Sequence, residues 1–305
     1  MVSVVINCYN GEDFLRETLD SLRNQTYKDY EVIFIDNCST DHTAEIAMEF
    51  DDRLKYFKTG HNLPLGEARN YAIERCNGEY IAFLDSDDLW DKDKLKIQVE
   101  LMDKFSDCVI NIANNQMLNM MTNTNEVVIR DRKTGFMDYD DFAINYKYGL
   151  SSVMIRTSSL KNMSKLFDIR LSYAEEFDMF LRLASIGGIY YYEKPLSSYR
   201  VHGSMHSLKL KDSIPHEYEI VMENLIESIP NFIEDHNDVI KRIEFLRDYT
   251  SAKLCIEREN YKQSHELMKP YIKNNIRALF FYLLTAMPPI VVKNIYNRYF
   301  TKKML

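Results

Sequence analysis

The 305-residue chain has no glycine-rich phosphate loop: neither G-x-x-x-x-G-K-[ST] nor G-x-G-x-x-G occurs. That excludes phosphate binding in the manner of P-loop NTPases or dinucleotide-binding domains. No C-x-x-C occurs either, and the five cysteines (Cys8, Cys38, Cys76, Cys108 and Cys255) are odd in number and widely spaced. They read as free thiols in a reducing compartment, not as a zinc site or a disulfide frame. Basic charge is not in excess: the net charge is -8, which argues against general nucleic-acid binding, because phosphate neutralisation needs a basic face. No signal peptide is visible, and "MVSVVINCYN" already reads as a strand, so the fold is expected to start almost at residue 1. The longest apolar run, "ALFFYLLTAMPPIVV" at 278–292, is too short for a membrane span and is broken by Pro288-Pro289. Internal repeats and low-complexity segments are absent.

What is present is an ordinary globular balance, 46% hydrophobic and 28% charged, in a length suited to one large domain or two smaller ones. Apolar β-branched runs alternate with helical periodicity. Strands are expected at 2–8, 30–36, 54–59 and 78–85, and helices at 12–25, 37–50, 64–76 and 91–105. Continuous apolar strands between amphipathic helices predict a Rossmann-like α/β fold, a mainly parallel sheet with helices on both faces. In such sheets ligands bind beyond the carboxyl ends of the strands. Three polar clusters fall there: Tyr9-Asn10, Asp36-Asn37 and Asp85-Ser86-Asp87-Asp88. From 109 to 205 the pattern is mixed, with short strands at 149–156 and 188–202 around a helix at 175–186. The Met-rich "MLNMM" at 117–121 reads as core filling. Beyond about 212 the chain reads as helices, after a polar stretch without periodicity. The expected division is 1–207, an α/β domain that bears these polar clusters, and 208–305, a helical region.

In "EYIAFLDSDDLWDKDKL" an apolar strand runs into three carboxylates. A helix N-cap there would need one acceptor, whereas three adjacent carboxylates repel one another. A divalent cation relieves that repulsion; Mg2+ or Mn2+ takes one or two carboxylates plus substrate phosphates, which points to a metal-bridged diphosphate.

Four blocks in order over roughly residues 2–207 resemble the inverting family 2 glycosyltransferases of the GT-A fold. They are "VSVVINCYNGEDFLRETLDSLRNQTYKDYEVIFIDNCSTDHT", "NLPLGEARNYAIERCNGEYIAFLDSDDLWDKDKL", "FDIRLSYAEEFDMFLRLA" and "YRVHGSMHS". The resemblance implies that Asn7, Tyr9, Asn10 and Glu12 border the nucleotide and that Asp36 faces base and ribose. Asn37 stands where many members have a second Asp. Asn62, Gly66 and Arg69 are placed on the nucleotide side. The D-x-D motif is Asp85-Ser86-Asp87, with Asp87 a metal ligand and Asp85 near ribose or metal. The general base falls in the pair Glu175-Glu176, where Glu176 takes the place of the usual Asp; Asp178 is the alternative. Arg182 either orients that pair or is a solvated helix residue. His202 resembles the family's late histidine at metal or diphosphate, and His206 and Ser207 belong to the same loop.

The implied reaction moves a sugar from a UDP-sugar, with dTDP and GDP as alternatives, to a hydroxyl of a glycan or lipid-linked acceptor in surface polysaccharide synthesis. The rival readings are a catalytically degenerate nucleotide-sugar or glycan-binding module, and a nucleotidyltransferase. The segment 109–150 is expected to shape acceptor recognition. Residues 270–305 carry Lys273, Arg277, Lys293, Arg298, Lys302 and Lys303 and no acidic residue. That tail reads either as helices packed on the catalytic domain or as an interfacial anchor for anionic lipid, giving a cytoplasmic enzyme peripheral on the inner membrane face. Self-association as a homo-oligomer stays open.

Overall fold

A computed structural model describes residues 1–203 and 210–298 and divides the chain into two compact units, Met1–Val201 and His202–Leu305. The first unit alternates β1 (Val2–Cys8), α1 (Leu15–Arg23), β2 (Tyr30–Asp36), α2 (Thr43–Met48), β3 (Leu54–Lys58), α3 (Leu65–Ile73) and β4 (Tyr80–Phe83). It continues through β5 (Leu89–Trp90), α4 (Lys94–Lys104), β6 (Cys108–Asn119), β7 (Thr124–Val127), β8 (Gly135–Met137), α5 (Tyr139–Ile144), β9 (Val153–Arg156), α6 (Glu175–Ala184) and β10 (Gly188–Val201).

The sheet order is β3-β2-β1-β4-β9-β6-β10-β5. β1 runs parallel to β2 and β4, and β2 parallel to β3. β9 is antiparallel to both β4 and β6, and β10 is parallel to β6. The long strands therefore point one way and gather their carboxyl ends on one edge, with Cys8 level with Asp36 and Asp36 level with Lys58. β1 and β2 are almost wholly buried, as expected of parallel strands covered on both faces. On one face Val2, Val4, Ile6 and Cys8 pack with Leu15, Leu19 and Leu22 of α1 and Leu95 and Val99 of α4. Strand alternation turns Val5 and Asn7 to the other face, where α3 lies against β1. Phe83, paired with Val5, meets Phe167 and Phe180 edge-on at 6.0 and 6.2 Å, which seats α6 on that face.

Two helices begin later than their periodicity predicts. Asn10 at φ 51 and Cys38 at φ 69 hold left-handed turns. The polar loop after β2 bonds to itself: the Ser39 and Thr43 N–H groups donate to Asp36 and Asp41 carboxylates at 2.7 and 3.0 Å. Such local bonds offer the backbone an alternative to helix. β6 carries no clear strand pattern in the sequence, because Asn111, Asn114 and Asn115 depress strand propensity. Tertiary pairing overrides this: Asn114 donates to the Ile129 and Glu193 carbonyls at 2.7 and 3.1 Å, and β6 pairs with β10 along its whole length. The Met-rich segment is not core filling. It forms the end of β6 and the turn into β7, with Met120 and Met121 exposed.

The second unit holds α7 (Ile214–Ser228), α8 (Phe232–Asp235), α9 (Asn237–Glu257), α10 (Tyr261–Met268), α11 (Ile276–Thr285) and α12 (Pro289–Tyr296). Its core joins Phe245, Ala252, Ile256, Met268, Phe281, Val292 and Tyr296. All five cysteines are free.

Candidate active site

The carboxyl ends of β1 and β2 are laced by side chain–backbone bonds. Asp36 is fully buried and accepts from the Tyr56 hydroxyl as well as from Ser39, with Lys58 Nζ 3.7 Å away. Burial, followed by the Asp36 bond, holds the Tyr56 phenol well above its usual value. Asn37 acts as a staple. Its amide exchanges two 2.8 Å bonds with the Leu63 backbone, accepts from Thr59 at 3.2 Å, and its carbonyl accepts from Asn62. Both ends of that amide are thus engaged within the chain. Asn10 and Glu12 hold the same loop from the β1 side, accepting the Thr40 and His42 N–H groups at 2.9 and 3.0 Å. Tyr9 stands exposed beside them. Gly66 is set by packing, since a Cβ there would lie 3.1 Å from the Asp168 carbonyl. Both polar atoms of the Asn7 amide are buried without a protein partner.

The three carboxylates after β4 divide. Asp88 turns inward: it accepts the Ser151 hydroxyl at 2.6 Å and the Arg200 N–H at 3.1 Å, tying this loop to β10. Burial and then Asp85 and Asp87 push its carboxyl well above the usual range. Asp85 and Asp87 are half-buried, and the Asp85 N–H is fixed on Ser151 Oγ at 3.0 Å. Ser86 is held through its carbonyl, which accepts from Thr18.

Arg69 joins this loop to α6. It is 3% exposed and lies over the Phe167 ring. One guanidinium nitrogen reaches Glu175 at 2.6 Å; the other lies 3.3 Å from Glu176 and 3.5 Å from Asp85. One cation therefore serves three carboxylates drawn from two distant segments, and negative charge is left over. Burial pushes Glu176 up to about 8, with Arg69 opposing and Glu175 and Asp85 reinforcing. Asp85 rises to about 6 by burial, opposed by Arg69 and reinforced by Asp87 and Glu175; at 38% side-chain exposure, water screens part of that shift.

The acidic helix also divides. Glu175 is 3% exposed and Glu176 24%, so Glu176 is the one open to a substrate. Asp178 is fully buried and paired with Arg182 at 2.5 Å, while Arg182 donates to the Lys165 and Leu166 carbonyls. That pair anchors α6 to the segment before it. Arg182 is thus neither solvated nor bonded to the Glu175-Glu176 pair, and Asp178 is not brought to the cluster. His202 is buried and directly follows β10. His206 and Ser207 lie outside the described residues.

Other neighbours carry no sequence signal, being placed by tertiary structure alone. They are Ser151, and Tyr146, whose hydroxyl is buried without a protein partner. Tyr146 packs edge-on against Phe177 at 5.1 Å, and its phenol is raised by burial and then by Glu176 and Glu175. Among the described residues no three His, Cys, Asp or Glu side chains are placed to hold a metal ion by themselves.

The profile of Glycosyl transferase family 2 matches residues 3–162. The chain belongs to this family. As a family 2 member it is a glycosyltransferase, and its sheet and helices are the GT-A fold. An uncharacterized glycosyltransferase of Rickettsia typhi is 27% identical over 75% of this chain and 72% of its own length. The putative teichuronic acid biosynthesis glycosyltransferase TuaG of Bacillus subtilis is 35% identical over 51% of this chain and 62% of its own. Among solved structures, S. aureus TarS in complex with UDP-GlcNAc superimposes with a TM-score of 0.70, covering 93% of this chain and 84% of that one at 19% identity.

Proposed function

We propose that this family 2 member is an inverting, divalent-metal-dependent transferase that moves a sugar from a nucleotide-diphosphate donor, a UDP-sugar first, to a hydroxyl of a surface glycan or its lipid-linked precursor. The observation that carries the reading is the single Arg69 guanidinium shared by Asp85, Glu175 and Glu176. It sets a donor-side carboxylate and an acceptor-side carboxylate around one space. The surface-glycan assignment is supported by the likeness to TuaG, and UDP by the likeness to TarS with its UDP-GlcNAc.

Asp85 and Asp87 fit a divalent cation. They are half-buried neighbours at the mouth of β4, and a site that takes only one or two protein ligands leaves the rest to diphosphate oxygens. Bound there, Mn2+ or Mg2+ supplies neutralising charge for a departing diphosphate. Glu176 takes the proton of the acceptor hydroxyl as that oxygen bonds to the anomeric carbon. The bond from that carbon to the diphosphate breaks on the opposite face and the electron pair leaves with the nucleotide. Glu175, locked on Arg69, is a positioning residue. Asp36 and the Asn7 amide serve the base and ribose end. The groove of about 560 Å³ lined by Val128–Arg132, Asn145, Lys147 and Tyr148 is the acceptor-side surface. The enzyme works at the inner membrane face.

Calorimetric titration of UDP with Mn2+, with and without EDTA, on wild type and Asp87→Ala tests the donor half. Binding is expected to need both metal and Asp87. Glu176→Gln is expected to keep that binding while transfer falls by a factor on the order of 10²–10⁴. Undiminished transfer by Glu176→Gln would remove it from the role of base.

A further inference from the structure

The second unit carries an apolar surface that its own core does not use. On α11, Ala278, Phe281, Leu284 and Thr285 are buried, whereas Ile276, Leu279, Phe280 and Leu283 are exposed. At 100° per residue those four fall within one face of the helix. Met287 and Ile290 continue the exposed apolar surface toward α12. Ile276 is 84% exposed and Leu283 54%, and with Leu279 and Phe280 they cluster on this face instead of standing singly. The outward faces of α7 and α9 are different, carrying Glu219, Glu223, Lys241 and Glu244.

The charge carried by the segment that bears this surface has one sign. No Asp or Glu follows Glu266 in the sequence. Lys273 precedes α11 and Arg277 borders its apolar face, both exposed. Lys293 is tied to Glu259 at 2.7 Å, whereas Lys273 and Arg277 flank the start of α11. A rim of one sign disfavours face-to-face pairing of two copies, because the basic borders would meet. It favours a surface that is apolar beneath and anionic above. No helix among the described residues is long and apolar enough to cross a membrane, so contact would be interfacial.

We propose that the outward face of α11, continued by Met287 and Ile290, docks at the headgroup–acyl boundary of an anionic bilayer, with Lys273 and Arg277 among the phospholipid phosphates. This places the membrane contact of the proposed function on named residues, and its test needs no donor, metal or acceptor. A failure here would leave the transferase reading intact.

The experiment is co-sedimentation of the full chain with vesicles of phosphatidylcholine alone and of phosphatidylcholine mixed with phosphatidylglycerol. Partition into the mixed vesicles is expected, weakened by high salt. The double substitution Phe280→Glu/Leu283→Glu is expected to lower it by about tenfold or more, since it removes apolar contact and adds like charge. Ile233→Glu, at another exposed apolar residue of the same unit, is expected to leave it unchanged. Circular dichroism checks that the substituted helices remain folded. A Phe280→Trp emission that shifts blue on mixed vesicles reports the face directly without disrupting it. Absence of partition into mixed vesicles would overturn the proposal. So would partition that is indifferent to lipid charge or to the double substitution. Self-association abolished by the double substitution, with no lipid binding, would assign the face to a second copy instead.

Discussion

At the scale of the residue, the decisive feature is one cation shared among carboxylates. A buried Arg69 facing Asp85, Glu175 and Glu176 cannot satisfy all three, and Glu176, the more open of the helical pair, carries the raised pKa. The sign of its effect on stability follows. A carboxyl raised to about 8 when folded, against an ordinary value of 4.5, binds a proton that the unfolded chain releases, so stability falls as pH rises from about 4.5 to about 8. Glu176→Gln mimics the protonated form. Thermal unfolding should find the variant more stable than wild type near pH 9 and little different near pH 5; the opposite order would mean that the carboxylate is favoured in the fold. On the proposed role of Glu176 as base, the same proton sets the rate. Transfer by the free enzyme should rise with pH and level off above about 8, and Glu176→Gln should lose that limb. Of the sequence-predicted site residues, Asp85, Arg69, Glu175 and Glu176 do come together, whereas Asp178 faces Arg182.

At the scale of the element, close approaches fix where the chain enters and leaves the sheet. Gly78 precedes β4, and a Cβ on it would lie 2.4 Å from the Ser3 backbone nitrogen. Ser3 there accepts the Gly78 N–H at 2.8 Å and donates to Glu31 at 2.6 Å. Neither backbone can yield cheaply. Gly78→Ala is therefore expected to cost about 1–3 kcal/mol, measured by urea unfolding. Gly11→Ala should cost less, because the atom it meets, Cys8 Sγ, ends a side chain that can rotate. Equal losses at the two positions would count against this distinction. The alternation of β1 to β4 with helices is legible because each strand is a short apolar run with its own pattern. β6 is not, because its asparagines are satisfied only by chain that arrives later, at Ile129 and Glu193.

At the scale of the whole molecule, each unit has an apolar cluster of its own. Phe281, 1% exposed, is a centre of the helical one. Phe281→Ala is expected to cost that unit about 3–5 kcal/mol, while UDP titration of the first unit's site is unchanged. Calorimetric unfolding with UDP binding measured in parallel tests this. Loss of UDP affinity in step with loss of helical stability would show that the two units act as one. The net charge of -8 coexists with a carboxyl-terminal segment free of acid, so the charge is divided along the chain and not spread evenly.

The amino-acid sequence by itself determined the strand–helix alternation, the edge on which polar loops collect, and the carboxylates set there, because these depend on periodicities and short motifs read within a few residues. It also placed an acidic pair at the start of a late helix. Only the tertiary structure decided which carboxylates share a charge, since Arg69 lies more than a hundred residues before Glu175 and contact between them depends on both α3 and α6 covering one face of the sheet. Asp88 and Asp178 were likewise turned from candidate acids into buried tethers by Ser151, Arg200 and Arg182. A carboxylate's chemistry is set by burial and by the charges beside it, and both come from the folded neighbourhood.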